Sequence, residues 1–218
     1  MRAGASRWAW RSGIDHMNTV LSLDHVFLAR HGETAWSRDG RYQGRSDPPL
    51  SSYGVAQALQ LAEVMRAKNI ASVVASPLRR ARQTAAIVAK ALRLDPPAID
   101  PDLIEIAYGA WEGLNQPEVK SRWPALLRTW KRAPLTVGFP EGETLINVQS
   151  RVQTALASRL RPEGSPPILL VGHSVWIRLA LVHACGLSAE DFRRIGCATG
   201  AAVRLCRDDP VTLSKELR

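Results

Sequence analysis

Two short apolar runs in this chain end in the same way, and no other feature restricts the fold as much. Val26-Phe27-Leu28-Ala29 passes into Arg30-His31-Gly32-Glu33, and Leu169-Leu170-Val171 passes into Gly172-His173-Ser174. The second run is almost purely apolar, which implies a strand covered on both faces, as in a parallel sheet between helices. In open sheets of that kind ligands bind outside the carboxyl ends of the strands. If the two strands lie side by side and point the same way, their imidazoles converge there. A glycine beside each histidine lets a ligand approach the backbone. A single histidine in such a place is usually a satisfied core residue; two in the same place on two strands favour a site.

The rest of the chain reads as alternating strands and helices. Residues 33–50 form a long polar loop holding Arg41, Gln43, Gly44, Arg45 and Asp47. Ser51 or Ser52 is placed to cap a helix over 53–68, with Val55, Ala58, Leu59, Ala62 and Met65 on one face. Residues 71–75 are a short strand. Ser76 and Pro77 have the residue types of an N-cap and first helical position, with Leu78, Ala81, Ala85, Val88 and Leu92 as the apolar stripe that follows. Strand–helix units in succession predict crossover connections and a parallel sheet. Residues 94–102 read as connection and 118–131 as one or two helices broken at Pro124. A further helix is expected over 144–160, another over 175–185, and a final strand over 201–206. The expected fold is α/β, a three-layer sandwich with a mostly parallel central sheet flanked by helices. One domain is expected over 23–210, with a poorly ordered tail at 1–22 and a second tail at 211–218.

Composition removes other classes. No apolar run reaches the roughly 20 residues of a membrane helix. Three cysteines without a CxxC spacing argue against a disulfide framework or a cysteine zinc site. Arg2, Arg7 and Arg11 interrupt the first residues, so a secretory signal is not expected and the cytoplasm is the expected location. An organelle-targeting role for this acid-free start, and a true start at Met17, stay open. The formal charge of +9 suits an anionic partner, but the arginines are dispersed rather than gathered in one arm. Neither a nucleic acid nor a membrane is expected as a partner.

At Ala29-Arg30-His31-Gly32-Glu33-Thr34-Ala35-Trp36-Ser37 the chain resembles the signature of the histidine phosphatase superfamily, which includes the cofactor-dependent phosphoglycerate mutases. The likeness continues in order through Gly40-Arg41-Tyr42-Gln43-Gly44 and Asp47–Gly54, then Ser76–Ala85 with its arginines. It goes on through Leu103-Ile104-Glu105 with Gly109–Gly113, Pro140–Thr144 and Val171–Ser174. It spans roughly residues 25–206. The resemblance implies a phosphoglycerate mutase-like fold and a role for each matched position. His31 would be the nucleophile that takes a phosphoryl group. Arg30, Arg80 and His173 would hold the phosphoryl oxygens. Glu105 would protonate the leaving oxygen and then activate water. Thr34, Ser37, Gln43, Gly44 and Ser174 would complete the substrate pocket. No metal and no cofactor are implied.

The chemistry of these residue types agrees. Phosphoryl transfer needs positioning and charge neutralisation, and guanidinium groups give planar two-pronged grips. A nucleophilic imidazole must be neutral; a cation about 4 Å away contributes about 4 kcal/mol at an effective dielectric of 20, against about 1.4 kcal/mol per pKa unit. A bound phosphate would favour a protonated His173 that donates twice. Glu33 lies close to His31, but the pair lacks a helical HExxH spacing and a third ligand. Glu112 and Trp111 read as packing, and Trp176 as pocket wall or core. Arg41, Arg45, Arg79 and Arg82 either hold a second anionic group or face water.

The resemblance covers both hydrolases and mutases. Mutases carry an Arg-His-Tyr-Gly-like segment that grips the acceptor, and the stretch 111–118 lacks it, which favours a phosphatase. Ser37, where many members have asparagine, occurs in branches acting on sugar phosphates. The expected activity is hydrolysis of a small phosphorylated metabolite, a sugar phosphate or bisphosphate, by a monomer or homodimer. The alternatives are mutase-type transfer and a phosphate-binding module without turnover.

Overall fold

The two apolar runs are hydrogen-bonded parallel neighbours, in register from Val26 opposite Ile168 to Arg30 opposite Gly172. The computed structural model describes residues 21–188 and 191–205. In chain order the elements are β1 (Leu21–Ser22), β2 (Val26–Arg30), α1 (Ala35–Arg38), α2 (Ser52–Arg66), β3 (Ser72–Ala75), α3 (Arg79–Leu92), β4 (Ala98–Ile99), α4 (Gln116–Arg122), α5 (Pro124–Arg132), α6 (Leu145–Ala157), β5 (Arg161–Pro162), β6 (Ile168–Gly172), α7 (Ser174–Ala184) and β7 (Ala202–Arg204).

Five strands form one sheet in the order β4-β3-β6-β2-β7. The first four are parallel and β7 runs antiparallel along β2. The expected three-layer α/β sandwich is therefore the observed fold. Alternate residues explain the apolar runs. Phe27, Ala29, Leu169 and Val171 face a core built with α2 and α3, whereas Val26, Leu28 and Leu170 face a second core with α6 and α7. Helices cover both faces of the central strands, so neither face carries polar residues.

Several expected boundaries shift by a residue or two, which is the ordinary uncertainty of helix ends. Two differences have physical content. Ser76 does not cap α3. Its N–H still continues the strand pattern by donating to the Val171 carbonyl at 3.0 Å, so the backbone has not turned, and the helix begins at Arg79 with Leu78 as an uncapped N-cap. The Asp47 carboxylate, from the long loop, takes the Arg79 N–H instead, placing negative charge at the helix N-terminus. Residues 98–99, expected as connection, form the edge strand β4.

The expected tail at 1–22 lies outside the described residues except for Leu21 and Ser22, which are not tail: they pair antiparallel with Pro162 and Arg161. The expected tail at 211–218 lies outside the described residues, as does Cys206, to which the final strand was expected to run.

Candidate active site

Register brings the histidines together. Because Arg30 sits opposite Gly172, the next residues leave the sheet side by side, and the ring centroids of His31 and His173 are 5.2 Å apart. The backbone at His31 is gripped from both edges: its N–H donates to the Gly172 carbonyl, and its carbonyl accepts from Gly200.

The His31 ring is held at both nitrogens. Nδ1 lies 2.7 Å from the Gly32 carbonyl. A carbonyl only accepts, so Nδ1 carries the proton and Nε2 carries the lone pair. That lone pair accepts from Arg80 Nε–H at 3.2 Å. Burial, then Arg80 and Arg30, hold the imidazole well below its ordinary pKa of 6.5, opposed by the bond to Gly32.

Arg80 is fully buried on the first turn of α3. Its terminal nitrogens donate to the carbonyls of Ser46 at 2.7 Å and Gly44 at 2.8 Å. Burial lowers its pKa to about 10, against the raising charges of Glu105 and Asp47, so it remains a cation at neutral pH.

The loop offering those carbonyls is pinned by Glu112. Glu112 Oε1 accepts from the N–H groups of Arg45 and Tyr108, and Oε2 from the N–H and hydroxyl of Ser46, at 2.6–3.1 Å. Gly44 sits at φ +52°, and a Cβ there would run into this carboxylate. Trp111 is fully buried packing, as expected. Glu112 is not packing: it is the anchor of the loop that holds Arg80.

Glu105 is buried at the N-terminus of α7. Oε1 accepts from Ile106 and Trp176 N–H, and Oε2 from Val175 N–H, at 3.1–3.3 Å. The carbonyl of Glu105 is itself held by Arg45 Nε at 2.9 Å and Arg151 Nη2 at 3.2 Å. Glu143 bridges these two arginines and accepts from Ala107 N–H at 2.8 Å. Burial pushes the Glu143 carboxyl up, but Ala107, Arg151 and Arg45 outweigh it and hold the group below its ordinary range.

His173 is fully buried. Its Nε2 meets Ser76 Oγ at 2.8 Å, and its Nδ1 has no partner. Burial first, then Arg80, His31, Arg30 and Arg151, keep it well below 6.5. Arg30 donates through Nη1 to the Cys197 carbonyl at 2.6 Å, while its buried Nε is also unpaired. Buried polar atoms without partners are uncommon. Here two unpaired atoms belong to side chains beside the lone pair of His31, where an anion's oxygens would satisfy them.

His31, Arg30, Arg80, His173 and Glu105 thus converge. Thr34, Ser37 and Gln43 instead bind one another. Thr34 and Ser37 form a capping box at α1, and the Thr34 hydroxyl donates to Gln43 Oε1 at 2.9 Å. Gly44 enters through its carbonyl on Arg80, and Ser174 as the half-buried first residue of α7. Glu33 is spent on the Ser51 hydroxyl. Trp176 is core, with its indole N–H on the Asp102 carbonyl. Of the open arginines, Arg41 donates to the Gly113 carbonyl and Arg45 to Glu105 and Glu143. Among the described residues no cluster of three or more His, Cys, Asp and Glu side chains is arranged to hold a metal ion.

Sequence reading missed Ser76, Glu143, Arg151 and Tyr108. Tyr108 follows Glu105 by three residues and is buried, with its hydroxyl within the fields of Glu105 and Arg30. The Tyr-Gly dipeptide so soon after the acid was the available signal.

Known proteins resemble the chain over most of its length. Residues 26–215 match the family model described as histidine phosphatase superfamily (branch 1). The chain is 34% identical over 173 residues to Phosphoserine phosphatase 1 of Hydrogenobacter thermophilus, covering 79% of this chain and 81% of that one. It is 39% identical over 171 residues to a protein of Enterobacter sp. (strain 638) named "Probable phosphoglycerate mutase GpmB", covering 78% and 79%. A solved mycobacterial glucosyl-3-phosphoglycerate phosphatase, in complex with VO3, superposes with a TM-score of 0.73 at 28% identity, over 82% of this chain and 90% of that one.

Proposed function

The chain belongs to the histidine phosphatase superfamily, and from that premise we propose that it hydrolyses a small phosphate monoester through a phosphohistidine on His31, without a metal. The observation that carries this reading is the fixed tautomer of His31. The Gly32 carbonyl holds the proton on Nδ1, and burial with two nearby cations keeps Nε2 unprotonated beside unpaired polar atoms.

In the first step Nε2 attacks phosphorus, and the P–O bond to the leaving group breaks. Arg80 Nε must release the lone pair for this, and a phosphoryl oxygen is the natural competitor for its N–H. Arg30, Arg80 and His173 neutralise the equatorial oxygens, the main demand of phosphoryl transfer. Glu105 gives its proton to the departing oxygen. In the second step Glu105 takes a proton from water, whose oxygen attacks phosphorus and breaks the P–N bond. Orthophosphate leaves, and Glu105 is again protonated.

Mutase-type transfer is the second reading, favoured by the name of the Enterobacter relative. Against it, the stretch after Glu112 folds directly into α4, and no acceptor clamp of the Arg-His kind is present there. Phosphoserine and glucosyl-3-phosphoglycerate, after which two relatives are named, join sugar phosphates as candidate esters.

The test is a phosphate-ester panel assayed with a chelator. Turnover in chelator, abolished by His31→Ala and accompanied by an acid-labile phosphoryl group on the native enzyme, is expected. Activity that disappears with the chelator would rule the scheme out.

A further inference from the structure

We propose that Arg178 forms a second anion subsite beside the phosphoryl site, so that the preferred ester carries an anionic group on its leaving side. The proposal rests on the phosphomonoesterase reading and narrows its substrate class.

Arg178 lies on α7 one turn after Ser174, so the two share a helix face. Its Nε–H donates to the Ile195 carbonyl at 3.0 Å, while Arg30 Nη1 donates to the Cys197 carbonyl at 2.6 Å. The two guanidiniums therefore hold one short segment at carbonyls two residues apart, a span of at most about 7 Å. The Arg178 head sits 5.9 Å over the ring of Phe192, which is fully buried and gives the guanidinium a fixed plate to lie on.

What the remaining nitrogens do is the central point. Among the described residues, Arg45, Arg151 and Arg159 each face a carboxylate. Among the same described residues Arg178 faces none, and its two terminal nitrogens donate to no acceptor. Holding the Ile195 carbonyl uses one N–H of five. The charge also falls on the Tyr108 hydroxyl and the Cys197 thiol, the same two groups that lie within the fields of Arg30 and Glu105. Arg178 is thus a half-buried cation without a counter-charge among the described residues, and it acts on the same two groups as Arg30 and Glu105 of the phosphoryl site.

The anion that fits is a carboxylate or a second phosphate, since both match a guanidinium edge in two-pronged fashion. With a hydrogen bond of about 3 Å beyond each carbonyl, the two guanidiniums lie at most about 13 Å apart, within the reach of a small metabolite that bears a second anionic group. A neutral sugar alcohol would leave Arg178 unpaired.

The experiment compares 3-phosphoglycerate with glycerol 3-phosphate, which replaces the carboxylate by a hydroxymethyl group. Propane-1,3-diol bisphosphate against its monophosphate forms the phosphate arm, and p-nitrophenyl phosphate reports a working phosphoryl site. Native protein is expected to favour one anionic ester over its neutral analogue at least tenfold in kcat/KM, and the favoured arm identifies the anion. Arg178→Met should lower that ratio at least tenfold, mainly through KM, and Arg178→Lys should recover part of it. Melting curves of the variants show whether the fold is kept. If native protein turns over neutral esters but the ratio is the same in native and Met variant, or Lys recovers nothing, this proposal alone is overturned. If no ester is turned over, the phosphomonoesterase reading falls, and this proposal with it.

Discussion

β2 and β6 deliver their histidines from the same height in the sheet, yet the two rings are held in opposite ways. His31 has a partner on each nitrogen, and one of them, a carbonyl, dictates its tautomer. His173 has a hydroxyl on one side, which accepts or donates equally well, and nothing on the other. One imidazole is frozen with its lone pair presented. The other is left with proton capacity unspent. Similar strand ends in the sequence thus become dissimilar tools, and the difference comes from elements that neither strand contains: the carbonyl turn at Gly32, the α3 arginine and the hydroxyl of Ser76.

The largest expected effect tests that division. His31→Ala should lower turnover at least about ten-thousandfold, as removal of a nucleophile does. His173→Ala should cost about a hundred- to a thousandfold, the scale of losing one donor to a transition-state oxyanion. Steady-state rates on one aryl ester check both, and equal losses would break the comparison. Glu105→Gln should follow, with a fall of about a hundredfold on an alkyl ester and clearly less on an aryl ester, whose leaving group needs little help from an acid. Equal falls on the two esters would remove the general acid from the scheme. Glu112→Gln comes next. It leaves every converging side chain in place but weakens the loop that holds Arg80, so a loss of about tenfold in kcat/KM is expected. Wild-type kinetics for this variant would show that Arg80 keeps its place without the loop.

The smallest effect concerns folding stability. His31 and His173 are neutral in the folded state, with pKa values below 6.5, whereas the unfolded chain protonates them near 6.5. Their contribution is fully present above about pH 6.5 and is lost as pH falls toward the folded pKa values. Each contributes a slope of up to about 1.4 kcal/mol per pH unit inside that window. Thermal unfolding between pH 7 and 5 should show it, more weakly in His173→Asn. Inorganic phosphate should raise the melting temperature more at the acid end, because His173 takes up a proton to pair with it. A phosphate effect independent of pH would count against the uncommitted ring.

The parts of this molecule that were legible in the sequence are those set by neighbours close in the chain. The apolar run at 169–171, the stripe at 81, 85 and 88 and the cap at Ser51 each depend on a few adjacent residues, and each stands as expected. Four of the converging five were legible because each ends or follows a strand or opens a helix, whereas Glu105 was legible only through the family resemblance. The parts that were not legible depend on distant partners. Glu112 anchors a loop 66–67 residues earlier, and Glu143 meets Arg45 across 98 residues. Ser76 has the residue type of a cap, but its hydroxyl is taken by a ring 97 residues later. Edge strand β4 is only two residues long, too short for any periodicity to appear.

One feature of the His31 loop bears on how this chain can change. Gly32 and Gly54 face each other so closely that a Cβ on Gly32 would strike the Gly54 carbonyl, and a Cβ on Gly54 would strike the Glu33 carbonyl. Neither clash is with a flexible side chain, so neither can be absorbed locally. A change at one glycine is also not repaired by a change at the other, because each clash falls on backbone. The two positions therefore have no viable single-step neighbours and no compensating double. A side chain at either position is therefore expected to displace the loop that carries His31.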